Sequence, residues 1–109
     1  MKLGDCYNKH GRMMMDKVNS ETATGWKIVH GLVTGQGPIK GVKFGHCWLE
    51  KNGTVYDYSN NRNIVMSKAI YYSIGRIKKT NKFTGEQFRK KILKTGTWGP
   101  QNYYSIVWK

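Results

Sequence analysis

A chain of 109 residues, 39% hydrophobic and 13% aromatic, has the size and composition of one folded domain, spanning residues 1–109, which excludes a disordered composition and a pair of cores. Its net charge of +13, from 19 Lys and Arg against 6 Asp and Glu, points toward polyanions or acidic proteins as partners. No apolar run approaches a membrane span and "MKLGDCYNKHGR" has no apolar signal core, so the expectation is a cytoplasmic protein with no membrane partner.

The first element is a helix over "GDCYNKHGRMMMDKV". Asp5 is expected to cap it, Cys6 falls in its first turn, and Met13, Met14 and Val18 supply an apolar face. Gly11 weakens this helix without excluding it. After the polar connection "NSETATG", the β-branched segment "WKIVHGLVTG" reads as a strand, and "GQGPIKG" as a loop. "VKFGHCWLE" and "TVYDYS" form a hairpin around Asn52-Gly53, because a type I′ turn needs positive φ at both central positions. "NNRN" is a turn. "IVMSKAIYYSIGRIKK" is read as a short helix from Ser67 followed by a strand through Ile77. "FTGEQFRKKILKTG" is a helix, with Thr84 and Gln87 as a capping box, Phe88, Ile92 and Leu93 as the apolar stripe, and Gly96 as the stop. "WGPQNYYSIVWK" reads as a last strand. The order predicts an α+β fold, with an antiparallel sheet packed against an N-terminal Cys-bearing helix and a C-terminal helix.

Placing Asn52 and Gly53 at the turn pairs Lys51 with Thr54, Glu50 with Val55, Leu49 with Tyr56, Trp48 with Asp57 and His46 with Ser59. Alternation then puts His46, Trp48, Glu50, Val55, Asp57 and Ser59 on one face. Asp57 lies diagonal to His46, within reach of a long side chain, where a carboxylate can fix an imidazole tautomer. Cys6 is the candidate nucleophile. A helix N-terminus carries partial positive charge, which favours a thiolate, and its free N–H groups can bind an oxyanion. Cys47 points away from His46 and reads as core, as does His30. His10 is four residues from Cys6 on the same helix face and is a second candidate partner for it. No CxxC or HxxxH spacing occurs. A metal site from Cys6, His10, His46 and Cys47 is the weaker reading, and no cofactor is expected.

A cysteine opening a helix, followed by "GHCWLE" and "VYDYS" on neighbouring strands, resembles the papain-like superfamily, and most closely its transglutaminase-like branch. That branch has a His-Ala-Trp-x-Glu strand followed by an Asp-containing strand. Here Cys47 stands in the Ala position, "YDYS" stands where Asp-Pro is common, and Tyr7 replaces the Trp that follows the nucleophile. The resemblance covers about the first 60 residues. It implies Cys6 as nucleophile, His46 as general base and acid, and Asp57 as orienter, acting through a thioester. The reaction would be that of a peptidase, amidase, deamidase or acyl transferase, with a protein or peptide amide as substrate. Tyr7, Trp48 and Glu50 are the expected cleft-lining, substrate-binding residues, and the basic surface favours an acidic or nucleic-acid-associated target.

Two other readings belong beside this one. A basic, non-catalytic module would bind nucleic acid or an acidic protein through its charge. An interaction protein would use aromatics such as Tyr71, Tyr72, Tyr103 and Tyr104. A compact lysine-rich chain of this kind would suit a bacteriophage or mobile element.

Overall fold

Helices and strands follow the chain much as the patterning dictates. The computed structural model describes residues 5–35 and 37–99. The expected last strand, with Tyr103 and Tyr104, begins at its edge and lies almost wholly outside the described residues. The order is α1 (Asp5–Asn19), β1 (Trp26–Thr34), β2 (Lys43–Lys51), β3 (Thr54–Asp57), β4 (Ile64–Ser67), α2 (Lys68–Ile74), β5 (Thr80–Thr84) and α3 (Gly85–Thr95). Single 3-10 turns at Gly37–Ile39 and Ser59–Asn61 join β1 to β2 and β3 to β4. The five strands form one antiparallel sheet in the order β4-β3-β2-β1-β5. This is an α+β fold, with α1 and α3 packed on the sheet.

Local chemistry explains most element ends. Asn52 and Gly53 have φ of 52° and 75°, as a type I′ turn requires, and they set the Lys51–Thr54, Glu50–Val55 and Leu49–Tyr56 register. Thr84 Oγ1 accepts the Gln87 N–H while the Gln87 side chain accepts the Thr84 N–H, and Gly96 ends α3 in the left-handed region. The α1 helix includes Asp5, whereas the sequence placed Asp5 ahead of it as a cap.

The sheet has two covered faces. On one, Ile28, Cys47 and Leu49 pack with Cys6, Tyr7 and Met14 of α1 and Phe88 of α3. On the other, Val29, Trp48 and Val55 pack with Ile77 and with Tyr71 and Tyr72 of α2. Fully buried side chains the size of Trp48 and Phe88 each stabilise the fold by about 2–3 kcal/mol. Gly11 has a packing reason: a Cβ there would meet the Trp98 ring at 2.5 Å.

The segment from Ile64 to Thr84 differs from its sequence reading, which had no strand where β4 lies. No strand runs to Ile77; residues 68–74 are helix α2, capped by Ser67 Oγ accepting the Ile70 N–H. The fifth strand comes later, over "TNKFT", and pairs with β1. Its polar residues hide the alternation that puts Phe83 against the α1/α3 core and Lys82 on the opposite face. Among the described residues, no helix is long and apolar enough to cross a membrane.

Candidate active site

The hairpin ladder stops one pair short of the expected site. Pairing of β2 with β3 ends at Leu49–Tyr56, so Trp48–Asp57 and His46–Ser59 are not ladder pairs. Beyond Asp57 the chain turns away through Ser59–Asn61, with Asn60 and Asn61 at positive φ. The gap is spanned by side chains instead. His46 Nε2 donates to Asp57 Oδ2 at 2.9 Å. The α1 helix packs against both β2 and the Ser59–Asn61 turn. Its first turn carries Cys6, whose thiol is one of the groups that act on the His46 ring and raise it. Since Nε2 is engaged by Asp57, Nδ1 is the nitrogen left for Cys6.

Asp57 is fully buried and is the hub. Its Oδ2 accepts from His46 and from the Tyr71 hydroxyl at 2.7 Å. Its Oδ1 accepts from the Ser59 N–H at 3.0 Å and the Ser59 hydroxyl at 2.6 Å. Half-exposed Arg62 approaches Oδ2 to 3.7 Å. Burial alone would raise this carboxyl, but the bonds from His46, Ser59 and Tyr71 outweigh it and hold it far below the usual range. Burial likewise opposes charge on His46, yet Asp57 and Cys6 together raise it to about 9. His46 therefore carries its proton at neutral pH. Tyr71 is pushed far up by burial and by the Asp57 charge, and so remains a donor.

His10 does not pair with the Cys6 thiol. Its Nδ1–H donates to the Cys6 carbonyl at 2.8 Å, and its Nε2 accepts the Tyr58 N–H at 2.9 Å. An Nε2 that accepts an N–H carries no proton, so the 3.8 Å approach of His10 Nε2 to Asp57 Oδ1 is not an ion pair. His10 is a latch, tying the turn that bears Cys6 to the residue that follows Asp57. Cys47 is in the core, where burial pushes its thiol well up. Among the described residues, no three His, Cys, Asp or Glu side chains are grouped to hold a metal ion.

The expected cleft-lining residues are placed differently. Trp48 has no exposure; it lies under Tyr71 and Tyr72, with ring centroids at 5.2 and 5.8 Å. Glu50 is buried and accepts from Trp48 Nε1 at 2.8 Å, Tyr72 Oη at 2.5 Å and Lys82 Nζ at 3.2 Å. Tyr7 is buried edge-on against His30, at 5.2 Å. None of the three offers an open wall to a substrate. Cys6 and His46 themselves are 4% and 6% exposed. The groove lined by Val18, Trp26, Lys27, Thr84 and Glu86 contains no residue of the Cys6–His46–Asp57 cluster.

Ser59, Tyr71 and His10 are the residues whose parts in this cluster sequence reasoning missed. Ser59 carried a weak signal, since a Ser two residues after an Asp is an Asx-turn pattern. Tyr71 carried none, because its contact with Asp57 depends on α2 lying across the sheet. Comparisons with protein-family models, with curated proteins and with solved structures gave no match.

Proposed function

We propose that this protein is a thiol-dependent acyl-transfer enzyme, a hydrolase or transferase that works through a thioester on Cys6. The observation that carries the reading is the His46 ring, bonded through Nε2 to buried Asp57 at 2.9 Å and raised by both Asp57 and Cys6. A nucleophile, a base and an orienter in that order form the constellation that activates a thiol.

In this reading the Cys6 proton already rests on His46 Nδ1 before the substrate arrives, and Asp57 stabilises the imidazolium. The thiolate attacks a carbonyl carbon, and the N–H groups at the start of α1 face the developing oxyanion. The C–N bond breaks as His46 returns its proton to the departing amine, leaving an acyl group on sulfur. Water or a second amine, deprotonated by His46, then attacks the thioester and restores the thiol. Low exposure favours a slim acyl donor, such as an extended side-chain amide, over a folded protein backbone.

The test is p-nitrophenyl acetate, an activated ester small enough for a nearly closed site. Intact-mass measurement during turnover is expected to show one acetyl group, mapped to Cys6, with a burst of p-nitrophenolate. Cys6→Ala abolishes both, and His46→Ala slows acylation by about 10²- to 10⁴-fold. Acetylation confined to surface lysines, at rates unchanged in Cys6→Ala, would remove the proposal.

A further inference from the structure

The sheet face that carries His46 also carries a band of cations that the proposed chemistry does not use. Register pairs Lys27 of β1 with Glu50 and Lys82 of β5 with Val29, which puts both lysines on that face. Lys68, at the start of α2, joins them from above. The Lys68 and Lys82 ammonium groups lie 5.4 and 5.6 Å from the same Tyr72 ring centroid, and the charge of Lys82 bears directly on Lys68. The loop from α2 to β5 brings exposed Arg76, Lys78 and Lys79 to the adjoining edge of β1, where the Leu32 N–H donates to the Lys79 carbonyl at 3.3 Å.

Glu50, on the same face, is buried and ion-paired to Lys82. Among the described residues, none of Lys27, Lys68, Arg76, Lys78 and Lys79 forms an ion pair. Two neighbouring ammonium groups repel, and at Lys68 that repulsion outweighs the attraction of Glu50; a bound anion offsets it. The band follows β1 from position 27 to 32, about 17 Å at the rise of a strand. That length matches about five successive phosphates of one nucleic-acid strand, measured along the axis. Its cations are mostly lysines, which act as point charges, not the paired forks that read carboxylates or base edges. Ile77, within the band, is turned into the core, while Ile70 and Ile74 of α2 are exposed beside it. We infer that Lys27, Lys68, Arg76, Lys78, Lys79 and Lys82 form a sequence-independent surface for a nucleic-acid phosphate backbone. This inference stands apart from the thiol chemistry.

The experiment is fluorescence anisotropy of labelled single- and double-stranded oligonucleotides of scrambled sequence, between about 50 and 200 mM salt. The variant Lys68→Gln/Lys78→Gln/Lys79→Gln leaves the Lys82–Glu50 pair intact. The control, Lys40→Gln/Lys90→Gln/Lys94→Gln, removes the same charge from exposed sites outside the band. The band variant is expected to flatten the log–log salt slope by about 2 to 3 and the control to change it by less than about 1. Equal flattening by both variants would reduce the effect to net charge and overturn the inference. So would an absence of binding at the lowest salt, or tighter band-dependent binding of poly-glutamate than of either oligonucleotide.

Discussion

Asp57→Asn is expected to cost about 3 kcal/mol of stability and to drop the His46 pKa from about 9 to below 6.5. The carboxylate accepts four hydrogen bonds with no exposure. An amide has one acceptor oxygen. Whichever way it turns, its NH2 meets a donor: the Ser59 N–H on one side, or His46 Nε2–H and the Tyr71 hydroxyl on the other. Facing the NH2, His46 relieves the clash by moving its proton to Nδ1, the nitrogen that should accept from Cys6. Acylation should then fall by about 10³-fold or more, because the tautomer is wrong and not because the side chains have moved. Titration of the His46 ring by NMR, beside urea denaturation, checks both halves. A His46 titration unmoved by Asp57→Asn would mean that the 2.9 Å bond does not govern the ring.

Unfolding free energy is expected to peak near pH 6.5 and to fall on both sides, because two buried histidines are shifted in opposite directions. His46 is raised to about 9, so the folded state holds its proton more tightly than the unfolded chain does. That contribution is complete below an unfolded pKa of about 6.5, is lost as pH rises toward 9, and amounts to about 3 kcal/mol. His30 is lowered to about 3, first by burial and then by the charge of Lys91. It sits among Tyr7, Phe83 and Phe88, and its Nε2 has no hydrogen-bond partner among the described residues. Below pH 6.5 the unfolded chain protonates this histidine and the folded state does not, so stability falls toward acid, by up to about 5 kcal/mol near pH 3. His30→Phe is expected to remove most of the acid slope above about pH 4, and His46→Ala the slope between about pH 6.5 and 8.5. Below about pH 4 the Asp57 contribution is lost as well, because its depressed pKa stabilises only above the unfolded carboxylate value. Denaturant melts across pH read these slopes. A flat profile from pH 4 to 8.5 in the parent protein would contradict both assignments.

What the sequence made legible was local. The Thr84–Gln87 box, the Gly96 stop and the Asn52-Gly53 turn are each decided within a few residues, and each forms as read. Alternation from that turn also gave the face shared by His46 and Asp57. It could not give what covers the face. Trp48 and Glu50 read as cleft walls because the pattern shows which way a side chain points, not whether a helix lies over it. α2 does so, and Tyr71 and Tyr72 close over them. His10 was weighed as a partner for the Cys6 thiol. Helical spacing supplied its proximity, while the Tyr58 amide that fixes its tautomer comes from 48 residues away. β5 escaped notice because an edge strand needs only one apolar side chain, Phe83, to join the core.

The central claim is that His46 activates Cys6. The most direct measurement is the rate of iodoacetamide alkylation at Cys6 from about pH 5 to 9, read by peptide mass spectrometry. It compares the parent protein with His46→Ala, whose fold is checked by circular dichroism. Cys47 provides an internal reference, being fully buried with its thiol pushed well up. The expected result is labelling of Cys6 well ahead of Cys47 at neutral pH, slowed about tenfold or more by His46→Ala. Cys6 labelling that is unchanged by His46→Ala, or that appears only together with Cys47 as the protein unfolds, would contradict it.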